Sequence, residues 1–204
     1  MARRGRPRGF DREEALRRAM EVFWAVGYEG ATLTDLQEAM GGITAPSLYA
    51  AFGSKEKLFR EAVELYSRTL GLPMMKALAE GPTARASIEA LLQGAVEAFT
   101  KPGAPRGCML VLAAINSAPA NRSVRDYLRG LRARRRKAIR QRMRRGVVEG
   151  ELSPGLDLGA LASFYTTVVD GLAIQARDGA PRKALRFAVE CAMAAWDSPS
   201  GSPK

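Results

Sequence analysis

Apolar residues recur every three or four positions along most of this chain, which is the period of helices that pack on one side. This pattern predicts main helices at 11–26, 55–70, 84–99, 122–148, 157–177 and 182–196. Gly71 and Pro73 are expected to end the second of these. Residues 108–115 predict a short, almost wholly apolar helix that is buried on all sides. No segment has the alternation of a strand, so the sequence predicts an all-α protein.

Residues 31–60 predict two short helices joined by a glycine turn and followed by a long helix. Thr32 or Thr34 can cap the first short helix, and Gly41-Gly42 can supply the positive φ of a tight exit. Thr44 can cap the second short helix, with Pro46 in its first turn. This is the pattern of a helix-turn-helix, whose second helix enters the DNA major groove.

Ser54 is predicted to cap the long helix that begins at Lys55. Lys55 and Lys57 lie in its first turn, where the helix dipole prefers negative charge. A phosphate held by the helix N-terminus and Lys55 would remove this mismatch. The alternative is that both lysines are solvated and that Glu56 offsets them.

The composition narrows the classes of function. The 204 residues carry a formal net charge of +11 and a pI near 10.2, which favours a polyanionic partner, nucleic acid first. The chain has no histidine, and no phosphate loop or nucleophile elbow is present, so we expect no enzyme, metal site or cofactor. The two cysteines, Cys108 and Cys191, form no disulfide framework and indicate a reducing cytoplasm. No stretch is apolar and long enough to predict a membrane span.

The sequence divides into four predicted parts. Residues 1–9 form a flexible basic arm, 10–54 a helix-turn-helix domain, 55–197 a helical domain, and 198–204 a disordered tail. Within the arm, Arg4 and Arg6 flank Gly5 as in an AT-hook, which places arginines in a narrow minor groove. The alternative is a solvated tail that adds only non-specific attraction.

Two features of the second domain bear on partners. The segment 122–148 holds twelve Lys and Arg residues against one acidic residue, Asp126. This is interpreted as a solvated cationic face, with attraction toward DNA or capture of an anionic effector by Arg125 or Arg132 as alternatives. The helices within 157–196 have more apolar positions than one small bundle buries, which predicts self-association into a homodimer.

The segment 31–60 and the helix before it resemble the TetR family of transcriptional regulators. The similarity is carried by Phe23, Gly27-Tyr28, Thr32, Leu36, Gly41, Pro46-Ser47-Leu48-Tyr49, Phe52 and Ser54-Lys55-Glu56. It implies a homodimer of nine-helix subunits, each with an N-terminal three-helix DNA-binding domain and a C-terminal domain for dimerisation and ligand binding. It also implies a repressor that a small-molecule effector releases from its double-stranded DNA operator.

The resemblance assigns DNA contacts by position. Ala45, Pro46 and Ser47 would face bases, and Tyr49 and Lys55 would contact phosphates. Thr34 would touch backbone or base from the first short helix, and Thr44 would cap the second. The apolar side chains of Ala45 and Pro46 can make few base-specific contacts. The arm and the shape of the DNA should therefore add specificity. The Gly41-Gly42 turn has one residue more than the family pattern, which can tilt the second helix.

An effector cavity is expected among the middle helices. The predicted lining is Phe99, Met109, Leu112, Ile115, Asn116, Phe164, Tyr165 and Val168. Cys108 follows Arg106-Gly107 and starts a predicted helix, an arrangement that lowers a thiol pKa and suits a redox or electrophile sensor. A small buried apolar side chain is the alternative for Cys108. A different class of function, a helical adaptor for acidic partners, would use the cationic segment 122–145 but would not explain the glycine turn.

Overall fold

The computed structural model describes residues 10–113, 115 and 118–197. Within these ranges the backbone forms nine helices and no strand, with three consecutive helical segments treated as α4. The helices are α1 Arg12–Gly30, α2 Leu33–Ala39, α3 Ala45–Phe52, α4 Lys55–Tyr66 with Ser67–Gly71 and Leu72–Glu80, α5 Ala84–Phe99, α6 Met109–Leu112, α7 Arg122–Val148, α8 Leu158–Arg177 and α9 Arg182–Asp197. The all-α prediction is confirmed. Among the described helices, none is both long and apolar enough to cross a membrane.

Helix α1 extends beyond its predicted end at Val26. Asp11 caps it by accepting hydrogen bonds from the backbone N–H groups of Glu13 and Glu14. Gly27 was expected to stop the helix, but it takes a φ of +77° and makes a kink, after which helical turns resume. The N–H of Tyr28, beyond the kink, donates to the Ala113 carbonyl over 3.0 Å. The kink therefore ties α1 to the segment that follows α6.

Helix α4 continues past the two residues that were predicted to end it. The α-helix Lys55–Tyr66 passes through a π-helical turn, Ser67–Gly71, into a second α-helical segment, Leu72–Glu80. Proline lacks a backbone N–H and its ring clashes with the carbonyl four residues earlier, which normally breaks a helix. The wider π-turn changes the hydrogen-bond spacing just before Pro73, so the chain remains helical.

Helix α6 is shorter than predicted. It covers only Met109–Leu112, and the side chains of Met109 and Val111 are buried. Ile115, predicted to be buried, is 58% exposed. The carbonyl of Ala113, just after the helix, accepts the N–H of Tyr28 from α1.

Aromatic side chains hold α1 against α4 and fix the core of the N-terminal part. The Phe59 ring meets those of Phe23 and Tyr28 edge to face, with centroids 5.0 and 5.1 Å apart. Trp24 meets Tyr66 in the same way at 5.0 Å, and its indole N–H donates to the Gly107 carbonyl over 3.0 Å. All five rings are buried, and such pairs add about 0.5–1.5 kcal/mol each to the burial of apolar area.

Helix α7 has a cationic outer face, but two of its arginines are inside the protein. Arg135 and Arg142 are 8% and 4% exposed. Arg135 pairs with Asp170 of α8, and Arg142 donates to Ser87 Oγ at 2.8 Å and to the Gly81 carbonyl at 3.3 Å. These arginines continue the apolar stripe of α7, and each has a partner on another part of the chain, although one nitrogen of each guanidinium group has no hydrogen-bond partner among the described residues.

Gly107 is a position where the close packing can be tested. Its φ is +86°, and an added Cβ would lie 2.5 Å from Leu112 Cδ1 and 2.7 Å from the Ala173 carbonyl oxygen. Gly103 has a similar φ of +75° but nothing within 4 Å. We expect Gly103→Ala to lower the free energy of unfolding by about 1 kcal/mol through backbone strain alone. Gly107→Ala should lower it by about 3–4 kcal/mol, because overpacking adds to the strain. Urea denaturation of both variants at equal protein concentration measures the difference, and equal losses would contradict the described packing.

Candidate nucleic-acid interface and effector cavity

Side-chain caps and glycines set the geometry of the turn between α2 and α3. Thr32, rather than Thr34, caps α2 in a reciprocal arrangement with Asp35. Gly41 and Gly42 have φ values of +88° and +77°, which residues with a Cβ rarely adopt. Thr44 caps α3, accepting from the Ser47 N–H at 3.4 Å and donating to Ser47 Oγ at 3.0 Å. The two glycines therefore both belong to the turn.

Helix α3 buries one face and exposes the other. Leu48 and Phe52 are buried against the core, as their spacing predicts. Thr44, Pro46, Ser47 and Tyr49 are exposed, with Tyr49 at 46%, and Ala45 is half-buried. Thr34 is exposed on α2. The residues predicted to contact DNA on these two helices thus have solvent access.

Lys55, predicted to bind a phosphate, is already in contact with the protein. Its Nζ lies 4.6 Å from the centroid of the Tyr28 ring. Partial burial lowers the pKa of the Lys55 ammonium, and the nearby Glu29 carboxylate opposes that change. Lys57, the other lysine of this turn, is exposed and lies beside Gly53.

The described chain begins next to the turn. Phe10 lines a shallow surface depression together with Gly41, Gly42, Thr44 and Ser47. The arm residues Arg4 and Arg6 lie outside the described residues, as do Asn116 and the tail 198–204. Phe10, the first described residue, therefore lies beside the exposed face of α3.

Polar contacts join α1 and α4 to the start of α7 and to the residues just before it. Glu29 accepts hydrogen bonds from the Ala118 N–H and from Asn121 Nδ2, both over 2.8 Å, which lower the pKa of its carboxyl group. Glu56 accepts from Ser123 Oγ at 2.9 Å, and the Arg60 guanidinium lies 4.5 Å from the centroid of the Tyr127 ring. Sequence patterns gave no signal for these contacts, because they join loop and helix-end residues far apart in the chain.

A cavity of about 400 Å³ lies between α4, α7 and the segment around α6. That volume is within the range of small-molecule pockets, about 300–1,000 Å³. Its walls are mainly apolar side chains, with a few polar groups among them. The lining is Tyr66, Ser67, Leu70, Gly71, Leu72, Met74, Met75, Phe99, Cys108, Leu110, Leu131, Arg134, Arg135 and Ala138.

The structure does not gather the predicted effector residues into this cavity. Phe99 lines it, whereas Met109 and Leu112 do not, and Ile115 faces solvent. On α8, Tyr165 is buried and its hydroxyl donates to the Ala192 carbonyl at 3.3 Å, while Phe164 is 43% exposed and Val168 is half-buried. An apolar helical pattern does not distinguish a cavity wall from a core or an outer face. The lining from α4 was missed because that helix was predicted to end at Leu70.

Cys108 is buried at the edge of the cavity, 3% exposed, while Cys191 is exposed on α9. Burial and the neighbouring Cys108 raise the pKa of the Tyr66 hydroxyl well above its ordinary value. The cation expected beside the thiol is directed elsewhere, since Arg106 donates to the Ala180 carbonyl. The helix that begins after Cys108 has only four residues, so it is a weaker dipole than predicted.

Two capped helices, a glycine turn and an exposed second helix define a helix-turn-helix DNA-binding protein. The chain belongs to the TetR family: the model "Bacterial regulatory proteins, tetR family" matches residues 15–62, and the model "Tetracyclin repressor-like, C-terminal domain" matches residues 84–192. The family consists of transcriptional regulators rather than enzymes.

Relatives along nearly the whole chain support this assignment. The HTH-type transcriptional repressor ComR of Escherichia coli is 31% identical over 194 residues, which cover 95% of this chain and 92% of ComR. The repressor BdcR of the same organism is 27% identical over 187 residues, covering 86% of this chain and 83% of BdcR. A solved structure of the TetR family regulator CifR with 26-base-pair operator DNA is 49% identical, has a TM-score of 0.90, and is matched over 94% of this chain and 100% of that one.

Proposed function

We propose that this protein is a cytoplasmic, dimeric repressor that binds operator DNA through α2 and α3 and is released by a small molecule in the cavity. Residues 10–54 are the DNA-binding domain and 55–197 the effector and dimerisation domain. The exposed face of α3 carries the proposal, because it presents polar atoms outward on a helix that is capped at its start and anchored by Leu48 and Phe52. The operator complex of CifR supports the same use of this element.

The proposed DNA contacts follow from exposure. Ala45, Pro46 and Ser47 face base edges at the start of α3, and Tyr49 donates its hydroxyl to a phosphate. Lys55 is positioned by the Tyr28 ring to reach the same strand, and Thr34 touches the backbone from α2. Arg4 and Arg6 enter the adjacent minor groove, which is supported by the position of Phe10 in the same surface depression as Ser47.

The proposed dimer uses α8 and α9. Phe164 and Ile174, nearly three helical turns apart on α8, are each 43% exposed, and Phe187 on α9 is 64% exposed. Gly171 lies between the two α8 residues with nothing within 4 Å of an added Cβ. Large apolar side chains around a small residue form a surface that a second copy can cover.

The proposed release uses α4 as a lever. Its first segment packs on α1 through Phe59, and its π-turn and second segment line the cavity. A ligand inserted between α4 and α7 would change their separation, and the π-turn is a place where α4 can bend. Because α1 and the helix-turn-helix move with the first segment, the two recognition helices of the dimer would no longer match grooves about 34 Å apart.

The DNA contacts can be tested on duplexes that the protein selects from a random pool. Tyr49→Phe should weaken binding about fivefold on every selected duplex, since it removes one hydrogen bond to a phosphate. Lys55→Ala should weaken binding and lower the salt slope by about one, and Ser47→Ala should change the preference among duplexes. Fluorescence anisotropy at fixed salt measures all three, with Tyr127→Phe on α7 as a matched control. Unchanged affinity in both phosphate-contact variants would refute the assignment.

The dimer surface can be tested with an exposed apolar residue on another face. Phe187→Glu should convert the dimer to a monomer, because each copy would bring a carboxylate into an apolar contact. Val148→Glu is the control, since Val148 is 82% exposed but lies at the end of α7. Sedimentation velocity gives the mass of each species. A wild-type monomer, or a dimer that persists in Phe187→Glu, would exclude this interface.

A second candidate function is favoured by the position of Cys108 on the cavity wall. An electrophile that enters the cavity would form a covalent bond to the Cys108 sulfur as the thiol loses its proton, and the adduct would act as a permanent ligand. In a Cys191→Ser background, N-ethylmaleimide should add one label at Cys108 and release DNA, and the further change Cys108→Ser should remove both effects. Mass spectrometry and gel shift report label and release. A fully labelled protein that still binds DNA would leave only the reversible mechanism.

A further inference from the structure

The cavity combines apolar walls with cationic groups on one helix. Leu70, Met74, Met75, Phe99 and Leu131 supply the apolar surface. Arg134 and Arg135, neighbours on α7, are the charged residues that line it, and no acidic side chain does so among the described residues. A ligand that fills the cavity therefore meets hydrocarbon over most of its surface and positive charge at one place.

Arg135 has a donor without a partner. Its side chain is 9% exposed, and one of its terminal nitrogens donates to Asp170. Its Nε is buried and has no hydrogen-bond partner among the described residues. A buried N–H group in that state costs free energy unless an acceptor reaches it. Arg135 is also one of the residues that line the cavity, so this donor belongs to a side chain next to the space for a ligand.

The charges near this donor do not balance. Arg132 donates to the Leu110 carbonyl at 2.6 Å, so its charge lies close to the same wall. Asp170 is the acidic group paired with Arg135, and Arg134 forms no ion pair among the described residues. Asp170 therefore offsets only part of the positive charge that Arg132, Arg134 and Arg135 bring to this wall, and a second negative charge would be attracted there.

We propose that the cavity binds an organic anion with an apolar body and a single carboxylate or comparable acidic group. The acidic group pairs with the guanidinium groups of Arg134 and Arg135, while the body lies against the methionines of α4 and Phe99. Leu72, 60% exposed at the edge of the cavity, marks where such a molecule enters. Such an anion would be the effector of the proposed repressor. Its role in regulation rests on the proposed function, whereas its binding to the cavity does not.

The test compares acids with amides of the same shape. Calorimetry without DNA measures binding of octanoate and octanamide as a straight-chain pair, and of 2-naphthoate and 2-naphthamide as a planar aromatic pair. At least one acid should bind about tenfold more tightly than its amide, as expected for charge-assisted hydrogen bonds. The pair with the larger difference identifies the preferred shape of the apolar body.

Three substitutions on α7 locate the effect. Arg135→Met should remove the preference for the acid, and Arg134→Gln should reduce it. Arg136→Gln, an exposed position that does not line the cavity, should leave it unchanged. If Arg135→Met does not fold, Arg134→Gln provides the test by itself. Arg134 is exposed and forms no ion pair among the described residues, so its replacement should not prevent folding. Equal binding of acids and amides to the wild type, no binding of any probe, or a preference that survives the cavity substitutions would overturn the proposal.

A separate gel shift with a selected duplex distinguishes failure of the proposed ligand class from failure of the proposed release mechanism. An acid that binds with the expected preference and releases DNA supports both. An acid that binds with that preference but leaves DNA bound supports the ligand class and contradicts the proposed release mechanism.

Discussion

The contact between α1 and α4 is the interaction on which the rest of the structure depends. Phe59 and Tyr66 of α4 receive Phe23, Tyr28 and Trp24 of α1 edge to face, with centroids about 5 Å apart. The Trp24 indole then reaches across to the Gly107 carbonyl at the start of the cavity segment. Close-packed rings do not slide gradually past each other, so the N-terminal helices and the first segment of α4 behave as one body. In the proposed release mechanism, a displacement of that segment would therefore move α1 with it.

The π-turn at Ser67–Gly71 divides α4 into two segments with different surroundings. Before the turn, α4 is fixed by the aromatic contacts; after it, Leu72–Glu80 faces the cavity and contains the single buried residue Leu78. π-turns are among the places where helices kink, so Ser67–Gly71 is the point at which α4 can change direction. The same turn lets the helix pass Pro73. One local feature thus permits the long helix, forms part of the cavity wall and separates a rigid half of α4 from an adaptable half.

The helix-turn-helix could be predicted from the sequence because its determinants are local. Thr44 caps α3, two glycines supply the positive φ values, and Leu48 and Phe52 have the spacing of a buried face. The cavity could not be predicted, since its walls depend on whether α4 continues beyond Gly71 and Pro73, and local rules favour a stop there. The predicted effector residues differ from the walls of this cavity for a second reason. Phe164 and Tyr165 are adjacent and equally apolar in pattern, yet one is exposed and the other buried, which only the packing of α8 on its neighbours decides.

The arginines of α7 divide by helical position into two physical roles. Arg135 and Arg142 continue the 3.6-residue stripe of Val124, Leu128 and Ile139, and they are buried with partners from other helices. The arginines on the opposite face are exposed to solvent. They supply a large part of the formal net charge of +11. Long-range attraction to a duplex depends on that total and is screened by salt, whereas preference among sequences depends on side chains that reach base edges. In the proposed repressor the outer face of α7 therefore acts on the rate of encounter with any DNA, and α3 decides which DNA is retained. Arg135 and Arg142 add less to the attraction, because Asp170 lies against the first, and Glu149 and Glu151 lie 3.7 and 3.8 Å from the second.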